Sequence, residues 1–186
     1  KIKTVGIFSP LFNPKQREEN EEIAEAIEQS GRQVYLPQKF PLRYFLDRLK
    51  DLGYTDNEAD LYSRRLVSLL DLYQDRKLDA GVLNLNGRVP DEGSLIDATL
   101  LWTANKPLVV YKADVRSMIN GYNNPMVRLL GEPVDTHEKI IEQLDRYEKS
   151  FPSFRKAMAE ARKLVGGTDL EKETALEELL KRVLSK

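Results

Sequence analysis

Val82-Leu83-Asn84-Leu85-Asn86-Gly87, continued by Asp91-Glu92-Gly93-Ser94-Leu95-Ile96-Asp97 and closed by Asn105-Lys106-Pro107, is the most informative stretch of the chain. The apolar run reads as a strand buried on both faces. Asn-Gly is the turn that ends it, and the segment after it reads as a helix stopped before Pro107. A carboxylate, Asp97, falls in the second turn of that helix among Ile96, Ala98, Leu100, Leu101 and Trp102. A buried strand that passes through a loop carrying an acid and a glycine into a helix is the repeating unit of a doubly wound α/β sheet. In such a sheet the ligand crevice lies beyond the carboxyl ends of the strands.

Upstream, Ile2 to Phe8 alternates and then runs apolar, which predicts a first strand ending at Ser9-Pro10-Leu11-Phe12-Asn13-Pro14. Ile23, Ala26 and Ile27 recur at helical spacing before Ser30-Gly31, and Gln33-Val34-Tyr35-Leu36 follows as a short strand cut off at Pro37. Strand, helix, strand in that order implies parallel pairing with a right-handed crossover. Residues 38–57 mix Phe40, Tyr44, Phe45 and Tyr54 with Arg43, Arg48 and Lys50. They read either as a packed helical insertion or as a lid able to stack a planar ligand. From Glu58 to Arg76, the residues Leu61, Leu66, Val67, Leu69, Leu70 and Tyr73 predict a long amphipathic helix. Asp71 lies near its C-terminal end, where the helix dipole disfavours an anion; it is either a solvated surface residue or one placed there for chemistry.

Downstream, Leu108-Val109-Val110-Tyr111 predicts a central parallel strand. Asp114-Val115-Arg116 and Asn120-Gly121-Tyr122-Asn123-Asn124-Pro125-Met126 form a long loop rich in turn formers, and Val127 to Leu130 reads as a short fifth strand. Asp135, with Glu138 three residues on, predicts a capped helix through Lys149, in whose first turn His137 reads as an exposed surface residue. Pro152 and Gly166-Gly167 bracket two further helices, the last running from Asp169 to Leu184 with Leu170, Leu176, Leu179, Leu180 and Val183 along one side. The expected organisation is an α/β domain over residues 1–134 and a helical extension over residues 135–186, packed on the domain or on a partner subunit. The domain should be a flavodoxin-like or Rossmann-like doubly wound parallel sheet of four to five strands.

Composition narrows the chemistry. The 186 residues include 29 Lys plus Arg against 30 Asp plus Glu, a net charge of −1, so no electrostatic footprint for nucleic acid or an anionic membrane is visible. Cysteine is absent and histidine occurs once, which argues against thiolate or histidine-built metal centres and against Ser-His catalysis. No metal and no cofactor is expected, and acid/base work must fall to carboxylates. No apolar run approaches the roughly 20 residues a membrane helix needs. The opening residues read as a strand rather than a signal peptide, so a cytoplasmic protein is the expectation.

Four segments should converge on the carboxyl edge of the sheet: Ser9 to Asn13, Asn86 to Gly93, the start of the helix carrying Asp97, and Asp114 to Met126. Asp91 and Asp97 can face a common cleft. Acids without histidine suggest chemistry at a sugar, one carboxylate attacking or stabilising the anomeric carbon while another handles the leaving group's proton. Asp97 is either a partly desolvated carboxylate, with a raised pKa or a partner, or a solvent-facing residue of an amphipathic helix.

Taken together, these residues resemble the nucleoside 2-deoxyribosyltransferase family over roughly residues 1–130. The resemblance rests on Ser9-Pro10-Leu11-Phe12, where the family has a Gly-Pro-Leu-Phe type loop, and on Asp71 eight residues before Asp79. It rests also on Asp91-x-Gly93-Ser94-x-x-Asp97, similar to the family's Asp-x-Gly-Thr-x-x-Glu helix start, and on Lys106-Pro107, Asp114-x-Arg116 and Asn124-Pro125-Met126. It implies that Asp97 attacks the anomeric carbon of a 2'-deoxynucleoside and that the sugar then passes to another base or to water. Asp91 and Asp71 are implied to hold and help protonate the nucleobase. Ser9, Pro10, Phe12, Gly93, Ser94, Arg116, Asn124 and Met126 are implied to bind the nucleoside or nucleotide. Asn124 would reach the sugar's 5' end in a neighbouring subunit, making the active unit a homo-oligomer, at least a dimer.

Arg116, with the backbone N–H groups near Gly93, would also suit a 5'-phosphate, so a 2'-deoxynucleoside 5'-monophosphate N-glycosidase is the alternative. Two departures from the family pattern raise a further alternative, a non-catalytic nucleotide-binding member. Asp97 stands where the family has the longer glutamate, and Gly6 stands where a tyrosine on the first strand orients the nucleophile. Thr99 and Leu101 replace small residues of the same helix, where their bulk would fill the pocket or push the helix outward.

Overall fold

A computed structural model describes residues 1–39, 42–87, 90–114, 124–168 and 174–184. Strands β1 (Thr4–Phe8), β2 (Gln33–Tyr35), β3 (Ala80–Asn84) and β4 (Leu108–Tyr111) form one parallel sheet in the order β2-β1-β3-β4. The chain steps outward from β1 to β2 and then back across to β3, so strand order reverses between β1 and β3. The loops after those two strands therefore flank the switch point of a doubly wound α/β fold.

Because side chains alternate along a strand, the sheet feeds two separate cores. On one face Val5, Ile7, Val82 and Val109 pack with Ile23 and Ile27 of α1 (Pro14–Gln29). Ile140, Leu144 and Tyr147 of α6 (His137–Tyr147) complete this layer. On the other face Phe8, Leu83, Leu108 and Val110 meet Ala98, Leu101 and Trp102 of α4 (Glu92–Thr103). Gly6 and Gly81 are register partners in the middle of the sheet on this second face. A Cβ at Gly81 would lie 2.5 Å from Phe8 Cε2 and 2.8 Å from Leu101 Cδ2, so both side chains need the bare backbone. Leu101 thus points into the core, 1% exposed. Thr99 is exposed, its hydroxyl turned back to the Leu95 carbonyl at 2.7 Å.

Helix α2 (Leu42–Asp51) pairs with α3 (Asp56–Lys77), which gives most of the irregular-looking region a regular structure; Phe40 lies outside the described residues. Reciprocal bonds between Thr55 and Glu58 start α3. The helix is amphipathic as expected, but much of its apolar stripe faces outward, with Val67 and Leu70 half-buried. Leu61, Leu66, Leu69 and Tyr73 are exposed, while Ala59, Ser63 and Asp75 are the buried positions.

Three further expectations are corrected. Val127 to Leu130 forms no strand: Asn124 caps a helical turn, α5 (Pro125–Arg128), with Pro125 at its first position, a site where the missing N–H costs nothing. Thr136, not Asp135, caps α6, accepting from the Lys139 N–H, while Asp135 pairs with the Lys139 ammonium at 2.6 Å. His137 is partly covered, its ring 5.6 Å from that of Tyr111.

Helices α7 (Phe154–Leu164) and α8 (Ala175–Leu184) follow. Trp102 anchors α7 through an edge-on contact with Phe154 and a 2.8 Å bond to the Pro152 carbonyl. Leu170 lies outside the described residues. Among those described, no helix is long and apolar enough to cross a membrane.

Candidate active site

Helix α4 begins at Asp91, whose Oδ2 accepts from both the backbone N–H and the hydroxyl of Ser94 at 2.7 Å. This cap fixes the helix start and draws Ser94 into the interior. Ser94, Ala98, Leu101 and Trp102 form the face that α4 lays on the sheet. The first two are small, so the helix approaches closely at this end. Asp97 sits at the edge of that face, half-buried and turned toward α3.

Across the α3/α4 groove stand two more acids, Asp71 and Asp75, one helical turn apart and so on one side of α3. Burial, then the negative charge of Asp71 and of Asp91, pushes the Asp97 carboxyl up to about 6, against a hydrogen bond with Asp75 that pulls it down. Asp75 is pushed up to about 7 by burial, then by the charge of Asp97, their shared hydrogen bond and the charge of Asp71; Lys106 opposes this. Burial also raises Asp71, offset in part by the Tyr35 hydroxyl, which donates to its Oδ1 at 2.9 Å. The phenol is in turn pushed well above its ordinary range, by burial first and then by the bond to Asp71.

Lys106 closes the lower end of the groove. Its ammonium donates to the Arg76 and Leu78 carbonyls at 2.7 and 2.5 Å, holding the end of α3 against the turn that leads into β4.

At the carboxyl edge of the sheet a second polar network ties the loops together. Asn86 accepts from the Ala113 and Asp114 N–H groups at 2.8 and 3.1 Å and donates to Glu19, while Asn84 also donates to Glu19 at 3.2 Å. Gly87 N–H donates to Asp114 at 2.9 Å. A cavity of about 430 Å³ opens here between the start of α1 and the loops after β3 and β4, lined by Asn13, Glu19, Asn86 and Asp114 among others.

The residues singled out from the sequence are thus distributed unevenly. Asp71, Asp91 and Asp97 come together, and Ser94 is bonded to one of them. Ser9 and Pro10 are buried at the end of β1, with the Pro10 carbonyl accepting from Asn20 at 3.1 Å. Gly93 is exposed in the first turn of α4. Phe12 and Met126 are 75% and 69% exposed, and Asn124 spends its side-chain oxygen on the Met126 N–H at 2.9 Å. Arg116 lies outside the described residues. No cluster of three or more acids or histidines among the described residues has the arrangement to hold a metal ion.

Two members of the cluster were not singled out. Asp75 shares a helix face with Asp71, a spacing visible in the sequence. Tyr35 gave no signal, because its role depends on β2 pairing with β1 so that Tyr35 lies beside Gly6. Tyr35→Phe should leave Asp71 without its donor and lower stability by about 1 kcal/mol. Urea unfolding measures this, and a variant as stable as the wild type would show that the bond contributes nothing.

The family model for nucleoside 2-deoxyribosyltransferase matches residues 7–172. No curated protein sequence matches the chain. Among solved structures, a conserved protein from Enterococcus faecalis V583 superposes with a TM-score of 0.57 at 18% identity, covering 79% of this chain and 99% of that one. A 2-deoxyribosyltransferase from Bacillus psychrosaccharolyticus superposes with a TM-score of 0.53 at 16% identity, covering 74% and 89%. A CMP N-glycosidase from Clostridium botulinum gives a TM-score of 0.48 at 13% identity, covering 77% and 99%. The first two are likenesses of fold. The family match runs from the end of β1 past α7 and encloses the whole acid cluster: the chain belongs to the nucleoside 2-deoxyribosyltransferase family.

Proposed function

We propose that this chain cleaves the N-glycosidic bond of a 2'-deoxynucleoside and transfers the sugar to a second base or to water, with Asp97 as nucleophile. The observation that carries this reading is the half-buried Asp97 carboxyl, flanked by Asp71, Asp75 and Asp91 and raised to about 6. It is ionised at neutral pH yet more basic than an ordinary aspartate, which suits attack at an electrophilic carbon.

In the first step an Asp97 oxygen bonds to C1' as the C1'–N bond breaks. The base leaves with the bonding electron pair and takes up a proton from a neighbouring carboxylic acid. Asp71, raised by burial, suits that role, and Asp91 borders the same space. In the second step an incoming base gives its proton to the same carboxylate and attacks C1', releasing Asp97. Two displacements give net retention, and water as acceptor gives free 2-deoxyribose. Ser9, Pro10, Phe12, Gly93, Ser94, Arg116 and Met126 are assigned to substrate binding.

The exposed face of α3, where Leu61 is 63% and Leu69 53% exposed, favours a homo-oligomer in which Asn124 serves a neighbouring site. Light scattering tests this, and a monomer at assay concentration contradicts it.

The test of function is to incubate the protein with a 2'-deoxynucleoside and a second free base and to separate the products. Exchanged nucleoside is expected for transfer and free sugar for hydrolysis; running the 5'-monophosphate in parallel distinguishes the nucleotide N-glycosidase. Failure to turn over any deoxynucleoside or deoxynucleotide would refute the proposal and leave a binding module.

A further inference from the structure

The acid cluster holds one member that the proposed chemistry does not use. Asp75 is 3% exposed, and its Oδ2 is buried with no hydrogen-bond partner. A carboxylate so placed would lose its hydration with no donor in return, an arrangement that costs several kcal/mol in general. What it meets is a second acid, for the Asp75 and Asp97 carboxyl groups lie within hydrogen-bonding reach. Two carboxyl groups in contact do not both ionise readily, and one proton held between them satisfies both.

The groups around the pair decide where that proton sits. Asp71 faces it from α3, Asp91 from the start of α4, Tyr35 from β2 and Lys106 from the turn before β4. The two further acids disfavour a second negative charge. The Tyr35 hydroxyl is committed to Asp71, and the Lys106 ammonium to the carbonyls at the end of α3. Lys106 also reaches the Asp75 backbone carbonyl at 3.5 Å, but neither group supplies a donor bond to the Asp75 carboxyl. Asp75 is also the more deeply buried of the pair, Asp97 being half-buried. The proton therefore belongs on Asp75 and the charge on Asp97.

We infer that Asp75 is a positioning residue: protonated, it donates a hydrogen bond to Asp97 and holds that carboxylate ionised and aimed at the anomeric carbon. This rests on the nucleophile assigned above. Asp75 touches no substrate atom and exchanges no proton with substrate. Loss of its proton, at a pH near the value of about 7 to which its environment raises it, replaces the hydrogen bond with repulsion.

Two variants separate this from a merely structural role. Asp75→Asn keeps a donor that cannot titrate, and Asp75→Ala removes the donor. The wild type should lose kcat as pH rises through about 7, the region set by Asp75. Asp75→Asn should lack that alkaline limb and keep kcat within about tenfold of the wild type, whereas Asp75→Ala should lose on the order of 100-fold in kcat with KM little altered. Carboxyl ¹³C NMR supplies a readout that needs no turnover. The Asp97 titration should move upward in Asp75→Ala, which lacks the bond that lowers it, and stay near the wild-type position in Asp75→Asn.

Equal kcat and equal pH profiles in the two variants would overturn the inference, as would an Asp97 titration that is the same in Asp75→Ala and the wild type. A wild type with no turnover would sink the proposed function instead, and the titration would still decide the position of the proton.

Discussion

Asp97→Ala should lower deoxynucleoside turnover by on the order of 1000-fold or more while leaving the protein at least as stable as the wild type above neutral pH. The two halves of this expectation share one cause. Asp97 is held half-buried among three other acids, an arrangement that a packing role would not select. Its carboxyl has an ordinary value of 3.8 and is raised to about 6 in the fold, so folding favours the protonated form. The associated stability is fully present below about pH 4 and is lost as pH rises through about 6; above that the ionised group weighs against the fold. Removing it relieves repulsion with Asp71 and Asp91 and deletes the atom proposed to bond C1'. Thermal unfolding across pH, set beside product analysis, checks both. A variant that unfolds early and still turns over substrate would mean that Asp97 is structural.

Gly6→Tyr should destabilise the protein by about 3 kcal/mol, or roughly 10 °C in Tm, with no gain in activity. This change restores the residue type that the family carries on its first strand. A Cβ at Gly6 already collides with Leu78 Cδ1 and lies 3.3 Å from two atoms of the Phe8 ring, and both neighbours are buried. Tyr35, the register partner on β2, occupies the adjacent position on the same sheet face and brings its own phenol to the acid cluster. Gly6 has no space for a ring, and the phenol beside Asp71 comes from β2. A Gly6→Tyr variant with the wild-type Tm and raised turnover would contradict this account of the groove.

Much of the fold was legible because buried parallel strands and capped helices leave strong local patterns. The runs at Ile2 to Phe8, Val82 to Leu85 and Leu108 to Tyr111 each became a strand of the central sheet within two residues of the expected ends. The helix that carries Asp97 was legible from its acid-glycine start and from Pro107. Its cluster with Asp71 was reached through a family resemblance, since periodicity left both acids open to a solvated reading.

What was not legible depends on tertiary context. Val127 to Leu130 has strand-forming residues, but Asn124 and Pro125 just before it start a helical turn. The leucines of α3 keep the helical spacing of an amphipathic helix, yet Leu61, Leu66 and Leu69 face outward, while Asp75 takes a buried position. Hydrophobic periodicity reports that a face is apolar and not what covers it. Tyr35 could be recognised only once pairing of β1 with β2 had set it beside Gly6.

During turnover Asp97 is expected to become covalently bonded to the sugar. Intact-protein and peptide mass spectrometry on enzyme quenched during turnover of a 2'-deoxynucleoside tests it most directly. The expected result is a mass gain of one 2-deoxyribosyl group, confined to the peptide that contains Asp97 and absent from Asp97→Ala. Turnover with no adduct at any quench time, or an adduct on another residue, would contradict it.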